Sequence, residues 1–128
     1  MTRTISGASL VVLLALCAGC QSYQLDYGEP AAQFLEADVA TSGKNYLGQK
    51  ITVKGTVTRV DADNRQGASI HLENGIRCNL GKFKAMVEST QPGETVFVDG
   101  FLRRCTDGDI LLEPAILRDP SAPFSAQQ

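Results

Sequence analysis

The sequence predicts a mainly β fold with two helices, in which five strands form a Greek-key barrel preceded by an N-terminal helix. Three observations predict this fold. Short segments alternate apolar and polar residues, turn residues separate these segments, and one helical spacing of apolar residues falls between the third and the fourth of them. The barrel is predicted at residues 30–118, a length that one hydrophobic core can serve.

The helix before the barrel is predicted to begin at Pro30. Proline is favoured at the first helical position, and Glu29 places a carboxylate near the positive end of the helix dipole. Phe34, Leu35 and Val39 then supply an apolar stripe at helical spacing. We expect this helix to cover one face of the barrel.

The first strand is predicted to begin at Lys50, where the apolar period changes to two. Val53 and Val57 alternate with polar residues, whereas Val60 is out of phase with Val57. An extra residue in the strand restores the alternation, and Gly55 in mid-strand permits a bend. We therefore expect a long strand that bends or bulges at a corner of the barrel.

The second and third strands are predicted at 68–73 and 76–80. The Asn74-Gly75 pair between them is typical of a two-residue hairpin, but that register puts the apolar residues of the two strands on opposite faces. A three-residue loop ending in a left-handed Gly75 brings both apolar sets to the core, and we expect this loop. Its register pairs Leu72 with Ile76 and Ile70 with Cys78, and it sets His71 opposite Arg77 and Ser69 opposite Asn79 on the outer face.

The remaining elements complete the barrel. Helical spacing before a terminating Pro-Gly pair is shown by Phe83, Met86, Val87 and Thr90. Two further strands are predicted at 95–104 and 110–117, and Pro114 indicates an edge or a bulge in the last one. Five strands with a helix between the third and the fourth are the layout of an OB-fold.

Five motifs occur in the order and spacing of a known family. They are Tyr46-Leu47-Gly48-Gln49, Ile51-Thr52-Val53-Lys54-Gly55-Thr56-Val57, Ile76-Arg77-Cys78, Pro92-Gly93-Glu94-Thr95-Val96-Phe97-Val98-Asp99-Gly100 and Leu111-Leu112. Together they resemble the tRNA-anticodon-like OB-fold family of small bacterial envelope proteins, which are often lipid-anchored. The resemblance covers residues 30–117. It implies the barrel, and an activity does not follow from it.

Residues 1–19 are typical of a lipoprotein signal peptide. Arg3 gives a positively charged start, residues 8–16 give an apolar segment too short to span a membrane, and two small residues precede Cys20. This end resembles a lipobox, in which the cysteine thiol is alkylated by diacylglycerol and becomes the first residue. Cys17 stands where such sequences usually have leucine. An ordinary cleaved signal peptide is the alternative.

We expect membrane attachment through lipidated Cys20, with residues 20–29 as a tether and residues 119–128 as a flexible tail. Gln21 follows the cysteine instead of the aspartate that typically retains lipoproteins in the inner membrane. The expected location is therefore the outer membrane, facing the periplasm. The mature chain would carry 11 basic and 14 acidic residues, a net charge of −3. This balance gives no broad attraction for nucleic acid or anionic lipid.

Cys78 and Cys105 are the thiols that remain after processing. An oxidising compartment favours a disulfide between them. The predicted register instead puts Cys78 in the core and Cys105 at a hairpin tip, which disfavours one. In the family that the chain resembles, cysteines often stand at the positions of Leu102 and Ala115 in this sequence. A possible Cys78–Cys105 disulfide and a pair of free thiols both remain open.

Two surfaces are candidate binding sites. The first is the outer face of the first three strands, with Lys54, Thr56, Ser69, His71, Arg77 and Asn79. It has no aromatic residue on which bases could stack, so we expect nucleic acid not to be the ligand. The second is a rim formed by the loops 61–67 and 105–109, with Arg65, Arg103 and Arg104.

The sequence contains no recognisable catalytic constellation. His71 is its only histidine, no Ser-His-Asp order or phosphate-binding glycine loop occurs, and Asp61 and Asp63 lack the later ligands of a calcium loop. We expect no catalysis, no cofactor and no metal. The predicted function is a binding module whose loop rim contacts an envelope protein or a small polar ligand. Binding of an oligosaccharide or polyanion on the strand face is the alternative, and nucleic-acid binding by the OB-fold is a minor one.

Overall fold

The structure is a computed structural model that describes residues 29–127. This part of the chain contains six strands: β1 (Ala32–Leu35), β2 (Lys50–Asp61), β3 (Ala68–Leu72), β4 (Ile76–Gly81), β5 (Thr95–Thr106) and β6 (Asp109–Leu117). It also contains two short α-helices, α1 (Val39–Ser42) and α2 (Lys84–Glu88). Three 3₁₀ segments lie at Glu36–Asp38, Gly43–Tyr46 and Glu73–Gly75.

Strands β2 to β6 form a closed barrel. The first half of β2 pairs antiparallel with β5, and its second half pairs antiparallel with β3. β4 pairs antiparallel with β3 and parallel with β6, and β6 returns antiparallel to β5. Since α2 lies between β4 and β5, the third and fourth barrel strands, the predicted OB-fold is confirmed.

The N-terminal segment starts as a strand, and the prediction of a helix from Pro30 is wrong at this end. β1 pairs in parallel with the first half of β2. Ala32 and Phe34 are buried, while the residue after each is more exposed, so the period is two. The first α-helical residue is Val39. Pairing with β2 therefore outweighs the local helix signal of the proline.

The turn between β3 and β4 has the predicted three-residue form. Asn74 and Gly75 both adopt left-handed conformations, with φ of 66° and 73°. The register pairs Leu72 with Ile76, and both side chains are buried. The alternation of apolar residues along the two strands thus identified the correct register.

The predicted irregularities of β2 and β6 are also present. The pairing of β2 with β3 shifts between Val57 and Arg59. The pairing of β6 with β5 shifts around Pro114, so that two residues of β6 lie opposite one residue of β5. Both shifts bend long strands and allow the barrel to close.

The interior of the barrel is apolar. α2 closes one end with Val87, which is fully buried, as predicted for the helical segment after the third barrel strand. The largest fully buried side chains are Phe34, Val39, Ile51, Val53, Val57, Ile70, Ile76, Leu80, Val87, Leu102, Ile110 and Leu112. The inward-facing positions are therefore filled by apolar side chains.

The C-terminal segment, residues 119–127, contacts the barrel. The Phe124 ring packs edge-on against Phe97 with ring centroids 5.3 Å apart. The Gln127 N–H donates to the carbonyl of Gln33 in β1 at 2.7 Å. The segment predicted to be a loose tail therefore lies along the outer face of the domain.

Candidate functional site

The structure divides the predicted ligand face into three parts. Lys54 and Thr56 lie in the half of β2 that pairs with β1 and β5. The Lys54 ammonium lies 5.6 Å from the centroid of the Phe97 ring. The Thr56 N–H donates to the Glu36 carboxylate at 2.9 Å. These two residues are therefore engaged with β5 and with the segment that follows β1.

Ser69 and Asn79 form the second part, and the expectation that they face solvent is wrong. Ser69 is 1% exposed and Asn79 is 5% exposed. The Asn79 amide donates to the Gln66 carbonyl at 3.1 Å and to the Glu113 carboxylate at 2.5 Å. The two residues do lie opposite each other on β3 and β4. The loop 62–67, however, folds back over Asn79.

His71 and Arg77 form the third part, where the sequence analysis missed a residue. Arg59 lies opposite His71 across β2 and β3, and His71 lies opposite Arg77 across β3 and β4. The Nη2 of Arg59 donates to Nε2 of His71 at 3.1 Å. The out-of-phase Val60 predicted the bulge in β2. Counting the strand residues past that bulge would have placed Arg59 opposite His71.

The hairpin of β5 and β6 brings Arg104 to the same pocket as His71 and Arg77. The Nε of Arg104 lies 2.9 Å from the Oδ2 of Asp109 across the β5–β6 hairpin. At Gly75, a Cβ would lie 2.3 Å from the carbonyl oxygen of Gly108, so the two hairpin turns are in close contact. They frame an open pocket of about 560 Å³, which we call the basic pocket. Its titratable lining comprises Arg59, His71, Glu73, Arg77, Arg104 and Asp109.

The guanidinium of Arg77 lacks an acceptor. Its Nε is buried and donates no hydrogen bond, and Arg77 forms no ion pair within residues 29–127. Burial lowers the pKa of His71, the charges of Arg59 and Arg77 lower it further, and Asp61 opposes them. The neutral ring is thus favoured, and it accepts the hydrogen bond from Arg59. Among residues 29–127, positive charge at Arg77 is left without a neutralising partner.

The predicted loop rim is not one continuous surface. Arg104 lies in the basic pocket, whereas the Nε of Arg103 donates to the Glu113 carbonyl at 2.7 Å. The Arg103 guanidinium also lies 5.5 Å from the centroid of the Phe101 ring. Arg65 belongs to the loop before β3, and the basic pocket lies at the turn after β3. The structure therefore groups Arg104 with the strand-face residues and separates it from Arg65.

A second polar cluster lies on the outer face of β2 and β5. Thr52 is fully buried, and its hydroxyl donates to the Asp99 carboxylate. Nη1 of Arg118 donates to Oγ1 of Thr52 at 3.3 Å, and its Nε lies 4.0 Å from Oδ2 of Asp99. The side chains of Arg118 and Asp99 are only 18% and 15% exposed. We call these three residues the covered cluster, because its charges are shielded and face each other.

Cys78 and Cys105 are free thiols in the structure. Complete burial raises the pKa of Cys78 to about 12. Cys105 is partly buried, and its Sγ donates to the Val39 carbonyl at 3.3 Å. The predicted lipidation site, Cys20, lies outside the described residues, as do the signal peptide and the tether up to residue 28.

The described part of the chain, residues 29–127, holds no group of three or more His, Cys, Asp or Glu side chains suited to a metal ion. Two acids of the loops 61–67 and 105–109 have basic partners. Asp63 pairs with Lys84 at 3.0 Å, and Asp109 pairs with Arg104. Over the same residues, no helix has the length and hydropathy needed to cross a bilayer.

No protein-family model matches the chain, and no curated protein matches it. Among solved structures, it is similar to a lipoprotein from Klebsiella pneumoniae subsp. pneumoniae MGH 78578 for which nucleic-acid binding has been suggested. That likeness has 18% identity and a TM-score of 0.46, over 65% of this chain and 81% of the other. A candidate aspartyl-tRNA synthetase from Leishmania major Friedlin has 12% identity and a TM-score of 0.48, over 71% of this chain and 21% of the other. This chain thus matches only a small part of that larger protein.

Proposed function

We propose that this protein is a lipid-anchored OB-fold binding module of the cell envelope, without catalytic activity. It holds an anionic group of a protein partner or of a small polar ligand in the basic pocket. The observation that carries this proposal is the Arg77 guanidinium, which shares the pocket with Arg59, His71 and Arg104 and has no acceptor within residues 29–127.

An arginine fork is suited to a carboxylate or a phosphate. Its N–H groups donate in parallel to two oxygens of one planar or tetrahedral anion. Arg59 already donates to His71, and Arg104 already pairs with Asp109. Arg77 would therefore make the first contact with the ligand, while Arg59 and Arg104 add positive potential on either side.

The charge of the pocket contrasts with the charge of the chain. Three arginines face two carboxylates in the lining, whereas the mature chain is expected to carry a net charge of −3. Attraction to an anion is therefore local, and it weakens as salt screens the exposed part of the pocket. We expect binding to be salt-sensitive and confined to this end of β3 and β4.

The proposal does not extend to single-stranded nucleic acid. Among the described residues, no Phe, Tyr or Trp lines the basic pocket. Stacking on such rings contributes about 1–3 kcal/mol per base in proteins that bind single strands. Arginine contacts without stacking would favour a compact anion over an extended strand of bases.

The lipid anchor would determine where in the envelope the protein meets its ligand. A tether of residues 20–29 spans at most about 35 Å when fully extended. The barrel would therefore stay close to the membrane surface, and the partner would be a molecule of the periplasmic face of the outer membrane. Cys20→Ala should move the protein from the membrane fraction to the soluble fraction and remove the acyl mass. A wild-type mature chain without acyl groups would instead establish an ordinary cleaved signal peptide.

Photocrosslinking in the native envelope tests the proposed contact. A crosslinking residue at Thr58, which is exposed and lines the basic pocket, is compared with one at the exposed Gln91. We expect an adduct from position 58 only, and its loss when Arg77→Gln is added. Lys82→Gln changes the net charge equally and should leave the adduct intact. Adducts that are equal at both positions, or insensitive to Arg77→Gln, would contradict the proposal.

A further inference from the structure

We propose that β1 and the neighbouring Phe97 form a binding site for an extended, uncharged peptide segment with one aromatic residue. The C-terminal segment of this chain, residues 123–127, occupies that site in cis. The partner is thus a peptide strand of the same kind as the tail, and the site is distinct from the basic pocket.

The position of β1 in the sheet is the first observation. β1 is the end strand of the sheet order and pairs with β2 alone among the described strands. A strand at an edge leaves backbone N–H and C=O groups that another extended chain can pair with. Partners that add a strand gain affinity from the main chain and specificity from side-chain pockets.

The contacts of the tail supply the chemistry of the partner. The Gln127 N–H donates to the carbonyl of Gln33 at 2.7 Å. The side chain of Gln33 accepts from the Ser125 N–H at 2.7 Å and donates to the Pro123 carbonyl at 3.5 Å. Every one of these bonds uses the main chain of the tail. Gln33 therefore contacts the main chain of the tail and none of its side chains.

An aromatic anchor adds selectivity. The Phe124 ring meets Phe97 edge-on, at a centroid distance of 5.3 Å and an interplanar angle of 67°. Lys54 lies 5.6 Å from the Phe97 ring centroid, so the Phe97 ring is presented on the outer face with a cation next to it. A segment that places an aromatic side chain at this position would be preferred over one that does not.

The tail does not fill the groove that it occupies. A cavity of about 370 Å³ remains between the tail and the start of β1, lined by Ala32, Gln33, Arg118 and Pro123 among others. From residue 120 to 127 the tail carries no charged side chain. It is thus held by a few main-chain bonds, one ring contact and one side-chain bond, from the Gln127 amide to the Tyr46 hydroxyl at 3.5 Å. A longer partner strand could replace it.

The test is a titration with a labelled peptide of the sequence 119–128. Phe124→Ser in the mature chain removes the ring contact of the tail and vacates the site. We expect this variant to bind the peptide about tenfold more tightly than the wild-type chain, in which the tethered tail competes at an effective concentration in the millimolar range. Amide chemical shifts should change at Ala32–Leu35 and at Phe97.

Matched controls isolate the two kinds of contact. A peptide carrying Phe124→Ser should lose binding to the vacated chain. Gln33→Leu should weaken peptide binding, whereas Gln91→Leu, a change of the same kind at an exposed position, should not. The proposal would be overturned if a folded Phe124→Ser chain does not bind the 119–128 peptide, or if it binds that peptide and its Phe124→Ser version equally.

Two further outcomes keep the test decisive. If Phe124→Ser does not fold, the wild-type chain is titrated with peptide into the millimolar range, and the absence of shifts at Ala32–Leu35 counts against the proposal. A wild-type chain that is a dimer with exchanged tails, detected by its doubled mass, would overturn occupancy in cis.

Discussion

The basic pocket and the covered cluster lie on the same outer face of the barrel, and each contains an arginine in a different state. Arg118 of the covered cluster donates to Thr52 and faces Asp99, and its side chain is 18% exposed. Arg77 of the basic pocket has a buried Nε with no acceptor in the described part of the chain, and the pocket around it is open. Within residues 29–127, the fold thus neutralises one guanidinium and leaves the other without a partner.

This difference separates a structural cluster from a binding site. A polar group that is buried with its partners adds to stability, whereas a donor without an acceptor costs part of its desolvation free energy. Proteins break such local rules mainly where function requires it. We therefore expect Arg118 to contribute to the stability of the fold and Arg77 to contribute to binding.

The largest effect is expected at the contact between the two hairpins that frame the basic pocket. Gly75→Ala introduces a Cβ at φ of 73° and 2.3 Å from the Gly108 carbonyl oxygen. The left-handed conformation and the forced separation of the turns should together lower the free energy of unfolding by about 2–5 kcal/mol. Urea denaturation measures this loss.

Gly108→Ala is the matched control for that change. Gly108 has a similar φ of 78°, but a Cβ there meets nothing within 4 Å. Gly108→Ala should therefore lower the free energy of unfolding only by the cost of the left-handed conformation, about 1–2 kcal/mol. Equal losses in the two variants would show that the hairpins are not in the close contact described.

The next effect compares the two arginines directly. Arg118→Met removes the donor to Thr52 and leaves Asp99 without its countercharge, so we expect a loss of about 1–3 kcal/mol in the free energy of unfolding. Arg77→Met removes no hydrogen bond and should change that free energy by less than about 0.5 kcal/mol, or raise it. Similar losses in both variants, measured by urea denaturation, would erase the distinction between the two regions.

The smallest effect is the pH dependence that His71 contributes in the basic pocket. Burial, Arg59 and Arg77 lower the pKa of His71 below its ordinary value of 6.5. As pH falls below about 6.5, the unfolded chain takes up the proton first, so the free energy of unfolding falls until the lowered pKa is passed. Urea denaturation at about pH 7 and about pH 5.5 measures this slope.

His71→Gln should reduce that slope, whereas Thr52→Val in the covered cluster should leave it unchanged. An undiminished slope in His71→Gln would assign the titration to another group. A slope reduced equally by both variants would mean that the two regions are coupled.

Much of the barrel was predictable because its strands are long enough to show alternation. The three-residue turn before Ile76 followed from requiring both apolar sets to face one core. β1 was not predictable in the same way, because only Ala32 and Phe34 carry its alternation and Pro30 favours a helix start. Its state depends on pairing with β2, which is distant in sequence.

The site was predictable only in part, for reasons of register and loop path. His71 and Arg77 were placed correctly opposite each other, because both lie on regular strands. Arg59 was missed because a bulge shifts its partner by one residue. The burial of Asn79 depends on the path of the loop 62–67, which alternation along a strand does not encode.

We propose that Arg77 provides the anion contact of the basic pocket. The most direct measurement is a titration of the mature chain, kept in solution by Cys20→Ser, with inorganic phosphate at low salt, followed by amide chemical shifts. We expect saturable shifts at Arg59, His71 and Arg77, an affinity weakened about tenfold or more by Arg77→Gln, and no such loss in Lys82→Gln. An unchanged affinity in Arg77→Gln, or shifts confined to other surfaces, would contradict the account.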